Sequence, residues 1–242
     1  MTIKWTLAAS TIDRTETEIL LAELLKKDRS FLFAHPEQDL TKTQTTNFKN
    51  LVDRRAKSEP LAYILGYKEF FGFKFLVNPK VLIPRAESED LVEEVIQSVK
   101  NFPNPTLVDV GTGSGCIAVS LALSLPSARI MATDTSTAAL FVARKNAALH
   151  LVLDRIEFIQ TDLTEGIEEK LDLIVANLPY IPTRNYLNLK EEVRNYEPRS
   201  ALDSGQSQMT FYKRLFEEAK SKLKKGCKLV YEIDGQLLTK VF

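Results

Sequence analysis

Apolar positions recur at helical spacing near the start of the chain. Ile19, Leu20, Leu21, Leu24 and Leu25 alternate with Glu16, Glu18, Glu23, Lys26 and Lys27 as an amphipathic helix requires. A second helical stretch is predicted near Thr45 to Lys57, with Phe48, Leu51 and Val52 on one face. No strand pattern stands out before about residue 65. The character changes over residues 66–84, GYKEFFGFKFLVNPKVLIP, where aromatic and β-branched residues dominate and Gly72 and Asn78-Pro79 signal turns. That run predicts a β-hairpin linking two domains. Ser88 to Lys100 again reads as an amphipathic helix.

From Thr106 onward the pattern alternates. Apolar, β-rich runs at 106–110, 128–133, 156–160, 171–176 and 228–233 are separated by helical segments that include 115–125, 136–149 and 211–225. Strands alternating with helices predict a parallel, doubly wound α/β sheet. The near-continuous apolar run LDLIVA suits a strand buried on both faces. The expected organisation is a helical domain over 1–65, a hairpin linker over 66–84 and an α/β domain over 85–242. The chain stops at Phe242, soon after the fifth predicted strand. The run at 228–233 is therefore expected to lie at an exposed sheet edge.

The 242 residues are 44% hydrophobic, enough for a sizeable core. Lys+Arg and Asp+Glu both number 32, which argues against a broad, sequence-independent grip on nucleic acid. The two cysteines, Cys116 and Cys227, are far apart, and no spacing resembles a metal site, so no metal is expected. No signal peptide or apolar run long enough to span a membrane is visible. The expectation is a cytoplasmic monomer with no membrane association.

The run Asp109-Val110-Gly111-Thr112-Gly113-Ser114-Gly115 sits at a predicted strand-to-helix turn. Glycines there let the backbone approach a ligand, and the following helix offers free N–H groups. Asp134 follows nineteen residues after Gly115, at the end of the next strand, where a carboxylate would accept both hydroxyls of a ribose. A dinucleotide fingerprint would require its third glycine at Cys116. The G-x-G-x-G spacing behind Asp109 suits an S-adenosylmethionine loop better.

Asn177-Leu178-Pro179-Tyr180 ends the fourth predicted strand, on the edge where open α/β sheets bind ligands. These residue types suit methylation of an amide nitrogen, whose lone pair is delocalised and must be aimed. The Asn177 side-chain oxygen would accept one N–H and the Leu178 carbonyl the other. Pro179 restricts Leu178 and so directs that carbonyl. Tyr180 would offer a flat face to the planar amide. Catalysis would then be alignment plus stabilisation of developing positive charge, with no strong base. His35 and His150 are read as structural or surface residues.

Taken together, AELLKKDRSFLFAHPE, EPLAYILGYKEFFGFKFLVNPKVLIPR, DVGTGSG, ANLPYIP and YEPRSALDSG resemble the release-factor glutamine methyltransferase family (HemK/PrmC) over nearly the whole chain. The resemblance implies a class I S-adenosylmethionine-dependent methyltransferase fold, Rossmann-like and here C-terminally shortened. A small N-terminal helical domain would recognise substrate. It implies methyl transfer to N5 of a protein glutamine, most plausibly that of the Gly-Gly-Gln loop of class I peptide-chain release factors. Cofactor contacts are implied at Asp109, Gly111, Thr112, Gly113, Ser114, Gly115, Asp134, Asp162 and Asn177. Asn177, Leu178, Pro179 and Tyr180 would hold the substrate amide, bordered by Arg85 and Glu87.

Four features depart from the family pattern. N-P-P-Y is N-L-P-Y here, which also resembles ribosomal-RNA adenine methyltransferases, so the exocyclic amine of adenine is the alternative acceptor. R-P-E-T-E reads Arg85-Ala86-Glu87-Ser88-Glu89. The glycine-rich stretch after YEPR is reduced to Asp203-Ser204-Gly205-Gln206. The final antiparallel strand pair is expected to be missing.

Overall fold

Helices in the first part of the chain, all but the last, begin where a side chain takes over free N–H groups. In the computed structural model, which describes residues 1–242, these are α1 (Ile3–Ala8), α2 (Arg14–Leu25), α3 (Arg29–Ala34), α4 (Lys42–Ala56) and α5 (Leu61–Leu65). Asp13 caps α2 by accepting the N–H groups of Thr15 and Glu16 at 2.8 and 3.1 Å. Thr41 and Gln44 form a reciprocal capping box on α4. The apolar faces close over Ile3, Leu20, Leu21, Leu32, Phe48 and Val52. Glu18 is buried among them, but hydrogen bonds from Arg14 and Arg29 hold its carboxyl below the usual range.

Met1–Gly66 form one compact unit, joined by a sequence-distant segment described below, and Tyr67–Lys190 with Glu197–Phe242 form the other. The second unit opens with a hairpin of β1 (Tyr67–Phe70) and β2 (Phe73–Leu76). Phe71 and Gly72 both take positive φ, the geometry of a type I′ turn. Next come α6 (Glu89–Val99), β3 (Thr106–Val110), α7 (Cys116–Ser124), β4 (Arg129–Asp134), α8 (Thr137–Leu149), β5 (Ile156–Gln160) and β6 (Leu171–Ala176). α9 (Glu191–Tyr196) clusters with the helical unit, where Arg55 pairs with both Glu16 and Glu192 at 2.8 and 3.1 Å. α10 (Thr210–Lys222), β7 (Leu223–Ile233) and β8 (Gln236–Val241) complete the sheet.

The sheet runs β5-β4-β3-β6-β7-β8, parallel except for β8. Alternate residues of its strands feed two cores. Leu107, Ile130, Leu173, Val175 and Val230 pack towards α6 and α7, whose Leu91, Val95 and Leu121 are fully buried. Val108, Val110, Ile174, Ala176 and Leu229 pack towards Tyr212 and Leu215 of α10. Burial on both faces explains why these strands are apolar throughout rather than alternating.

One expectation is overturned. The run at 228–233 is not left at an edge, because β8 pairs with it from Ile233↔Gln236 to Lys228↔Val241. An antiparallel strand is therefore present. Its turn is Asp234-Gly235, both at positive φ. Asp-Gly is among the strongest short-range hairpin signals, and here it is the local mark of the turn into β8. β8 itself is exposed at all six positions, so it lacks the apolar alternation that betrays a strand.

Asn146 of α8 ties the hairpin to the glycine-rich loop. Its Oδ1 accepts the Leu76 N–H at 2.7 Å, and its Nδ2 donates to the carbonyls of Leu76 and Ser114 at 3.0 and 2.8 Å. The residue is fully buried, so no water replaces it. Asn146→Ala is expected to lower the unfolding free energy by about 1–3 kcal/mol for each backbone group left unsatisfied. Denaturant unfolding of the variant against the wild type measures this.

Candidate active site

The chain leaves β3 towards β4 and β5 on one side, then returns to lay β6 and β7 on the other. The crevice between β3 and β6 is thus the switch point of the sheet, where open α/β folds bind ligands. The register makes the crevice specific. Thr133, Val110, Ala176 and Tyr231 form one pairing row across β4, β3, β6 and β7. The next residues along the four strands are Asp134, Gly111, Asn177 and Glu232. One row of the sheet therefore delivers a carboxylate, a glycine, an amide and a second carboxylate to its carboxyl edge.

Gly111, Gly113 and Gly115 all have positive φ, between 55° and 80°. A Cβ on Gly111 would come within 2.8 Å of Leu178 Cδ2, and one on Gly115 within 2.9 Å of Ala143 Cβ. Both positions favour glycine for conformation, and Gly115, set against the Ala143 backbone as well, needs it for space. Asp109 sits behind the loop, 1% exposed, accepting from Thr112 Oγ1 at 2.7 Å and from the Ala118 N–H at 3.2 Å. Burial pushes its pKa up to about 7. Asp134 accepts the N–H groups of Gly113 and Ser136 at 3.0 and 2.9 Å, and burial raises its pKa as well.

A cleft opens along this edge, lined by Gly111, Gly113, Asp134, Asp162, Asn177, Leu178 and Pro179 among others. The space along it, open solvent at its mouth included, is ≈ 820 Å³. Asp109, Thr112, Ser114 and Gly115 do not line it. They are buried and shape the loop from behind. Asp162 lines the cleft while its carboxylate is paired with Arg214 at 2.6 Å.

Asn177 is half-buried, and its amide is oriented by acceptors. Nδ2 donates to Ser88 Oγ at 2.8 Å and to Glu232 Oε2 at 3.1 Å, while Ser88 Oγ donates to the same Oε2 at 2.6 Å. This network leaves Oδ1 outside it. The Leu178 N–H donates to Tyr212 Oη at 2.9 Å, and Tyr212 donates onward to the Glu232 carbonyl at 2.6 Å. Tyr180 is partly buried and does not line the cleft. Burial raises its pKa, helped by Glu232, Asp234 and Glu87. Arg85 is tied to Glu197 at 2.6 Å, and Glu87 is exposed.

Ser88, Glu232 and Tyr212 were not singled out by sequence reasoning. Ser88 lies inside the Arg85–Glu89 segment, where its charged neighbours drew attention. Glu232 could have been found by strand counting, since it follows Tyr231 as Asn177 follows Ala176, the residue paired with Tyr231. Tyr212 carried no signal in sequence.

The cleft fits S-adenosylmethionine. Gly111 and Gly113 give backbone approach, and Asp134 keeps carboxylate lone pairs on the cleft wall beside them. Fold and site define an S-adenosylmethionine-dependent methyltransferase of class I. The family described as methyltransferase small domain matches residues 88–193, and that described as PrmC N-terminal domain matches residues 4–66. A release factor glutamine methyltransferase of Geobacter sulfurreducens is 41% identical over 91% of this chain and 76% of its own. One of Chlorobaculum tepidum is 39% identical over 91% of this chain and 78% of its own. The chain belongs to the release factor glutamine methyltransferase family. Among solved structures, the hMettl16 catalytic domain in complex with MAT2A 3'UTR hairpin 6 has a TM-score of 0.54 at 16% identity, covering 79% of this chain and 67% of that one. That likeness reflects the fold alone. No helix is long and apolar enough to cross a membrane.

The raised pKa of Asp109 has a consequence for stability. Its folded value, about 7, exceeds the ordinary 3.8, so the folded state holds a proton that the unfolded state releases. The associated stability is full below pH about 4 and is lost as pH rises to about 7. The unfolding free energy of the wild type minus that of Asp109→Asn is expected to fall over this window and level off above it. Denaturant melts at a series of pH values test the slope.

Proposed function

We propose that this protein transfers a methyl group to the side-chain amide nitrogen, N5, of a glutamine, and that the target is the Gly-Gly-Gln glutamine of class I peptide-chain release factors. The carrying observation is the amide of Asn177. Its Nδ2 is held by Ser88 and Glu232, so its Oδ1 is the free acceptor at the cleft wall. The carbonyl of Leu178 is the next acceptor along the chain. Two acceptors one residue apart match the two N–H groups of one primary amide. Holding both protons fixes the plane of that amide and hence the direction of its nitrogen lone pair. The same contacts strengthen as positive charge develops on nitrogen.

Bound S-adenosylmethionine supplies a methyl on a sulfonium sulfur, so an N–C bond forms, the C–S bond breaks and a thioether leaves. Asp134, Gly111 and Gly113 would hold its nucleoside portion, with Asp109, Thr112, Ser114 and Gly115 supporting their loop. Asp162, on the same wall, would contribute with Arg214. The methylated nitrogen then loses its proton to solvent. Pro179 restricts Leu178, and Tyr180 would border the amide plane. Arg85 and Glu87 would act at the rim. The helical unit, Met1–Gly66, would recognise the protein substrate.

A protein substrate is favoured over adenine in nucleic acid by the charge around Tyr180. Glu87 and Asp234 act on it together with the buried Glu232, and Arg85, which opposes them, is already paired with Glu197. Such surroundings repel a phosphate backbone.

Incubation with a class I release factor and S-adenosylmethionine, followed by tandem mass spectrometry, tests the reading. One methyl is expected on the Gly-Gly-Gln glutamine and none when that residue is replaced. Asn177→Ala is expected to lower kcat by about 10²–10³-fold, the loss typical of one transition-state hydrogen-bonding group. A methyl elsewhere, or an unimpaired Asn177→Ala, would contradict the assignment.

A further inference from the structure

Just past the end of β6, Asn177 meets Ser88 on the α6 side, whereas Leu178 packs into the core on the α10 side. Each face supplies its own brace. On the α6 side, Ser88 sits immediately before the helix, and its Oγ meets Asn177 Nδ2 at 2.8 Å. On the α10 side, Tyr212 is fully buried and its Oη accepts the Leu178 N–H at 2.9 Å. Both braces end on one residue of β7. The Glu232 carboxylate accepts from Ser88 and Asn177, and the Glu232 carbonyl accepts from Tyr212. Glu232 is 3% exposed and does not line the cleft. Substrate therefore meets Asn177 and not Glu232.

We propose that the Glu232 carboxylate, with Ser88, is the positioning group that fixes which atom of Asn177 faces the substrate, while Tyr212, anchored on the Glu232 backbone carbonyl, holds the Leu178 N–H beside it. The inference rests on reading Asn177 and Leu178 as the acceptors of a primary amide. An asparagine amide is nearly symmetric in shape, so packing alone does not choose between its oxygen and its nitrogen. A flipped Asn177 would present a donor to a substrate that also donates. Glu232 Oε2 accepts from both Ser88 Oγ and Asn177 Nδ2, a role that this oxygen keeps although burial raises the pKa of the carboxyl, so Glu232 draws Nδ2 towards itself and leaves Oδ1 turned away. Ser88 reinforces the choice, because its single hydrogen is committed to Glu232 and its oxygen is left to accept. Leu178 has no side-chain polar group; its side chain packs into the α10-side core and Tyr212 holds its N–H.

The substitutions separate positioning from mere packing. Glu232→Met keeps length and removes both acceptors. Glu232→Gln keeps one oxygen able to accept from Ser88 and Asn177. With the wild-type enzyme and a release factor, Glu232→Met is expected to lower kcat by about 10²-fold, the scale of a small misplacement of a reacting group. KM and calorimetric S-adenosylmethionine affinity stay within about twofold, and Glu232→Gln recovers most of the rate. Tyr212→Phe is expected to lower kcat without moving KM by freeing the Leu178 N–H, and Ser88→Ala, expected to lower kcat by loosening Asn177, serves if Glu232→Met does not fold. A second readout is hydrogen exchange of the Asn177 side-chain amide by nitrogen-15 NMR, its signal identified by its loss in Asn177→Asp. Those protons should exchange slowly in the wild type and faster in Glu232→Met.

Full kcat in Glu232→Met and Tyr212→Phe, with Asn177→Ala impaired, would overturn the positioning role and leave the proposed function intact. Parallel loss of rate and melting temperature in both Glu232→Met and Glu232→Gln would also overturn it, as a packing role. If the wild type methylates no release factor, the functional reading fails. The exchange measurement then decides the positioning role alone, with equal exchange in wild type and Glu232→Met counting against it.

Discussion

In-register parallel pairing of β4, β3, β6 and β7 is the constraint on which the site depends. Parallel strands place the same kind of terminus at the same edge, roughly 4.8 Å from one strand to the next. One pairing row ends the ladder at Thr133, Val110, Ala176 and Tyr231. Asp134, Gly111, Asn177 and Glu232 follow as a second row without further instruction. A slip of one residue in any strand would send its functional group to the wrong face. The fully apolar strands and the two separate cores hold that register, since a slip would also expose buried side chains.

Hydrogen-bond accounting at the row's end explains the residue types. Where the strands stop pairing, N–H groups lose their ladder partners. Gly111 and Thr112 return theirs to the Thr133 carbonyl at 2.9 Å each, and Gly113 gives its own to Asp134. Leu178 gives its N–H to Tyr212. With these donors satisfied, the Asp134 carboxylate, the Asn177 Oδ1 and the Leu178 carbonyl are left as acceptors at this edge. Such acceptors suit ribose hydroxyls at one end and an NH₂ group at the other.

Much of this was legible from local pattern. The strands at 106–110, 156–160 and 171–176 are found as expected, because burial on both faces makes them continuous apolar runs. The glycine loop and Asn177-Leu178-Pro179 announce themselves by residue types that only a tight approach or a fixed carbonyl would demand. Ser88 and Tyr212 were illegible because their importance comes from meeting Asn177 and Leu178 across 89 and 34 residues of chain. β8 was missed because an exposed outer strand needs no apolar face, and only its Asp-Gly turn marks it. α9 joins the helical unit through ion pairs and hydrogen bonds rather than an apolar stripe, so periodicity could not have assigned it.

The central claim is that the end of β6 reads an NH₂ group, and affinity tests it most directly. The measurement is calorimetric binding of the proposed release-factor substrate to the protein saturated with S-adenosylhomocysteine, against the same factor with its Gly-Gly-Gln glutamine changed to glutamate. A carboxylate has the same shape but turns lone pairs towards lone pairs. The glutamate form is expected to bind weaker by roughly tenfold or more, the cost of a mismatched buried hydrogen-bonding group. Equal affinity for the two forms would contradict the claim, because Asn177 and Leu178 would then not be holding the amide.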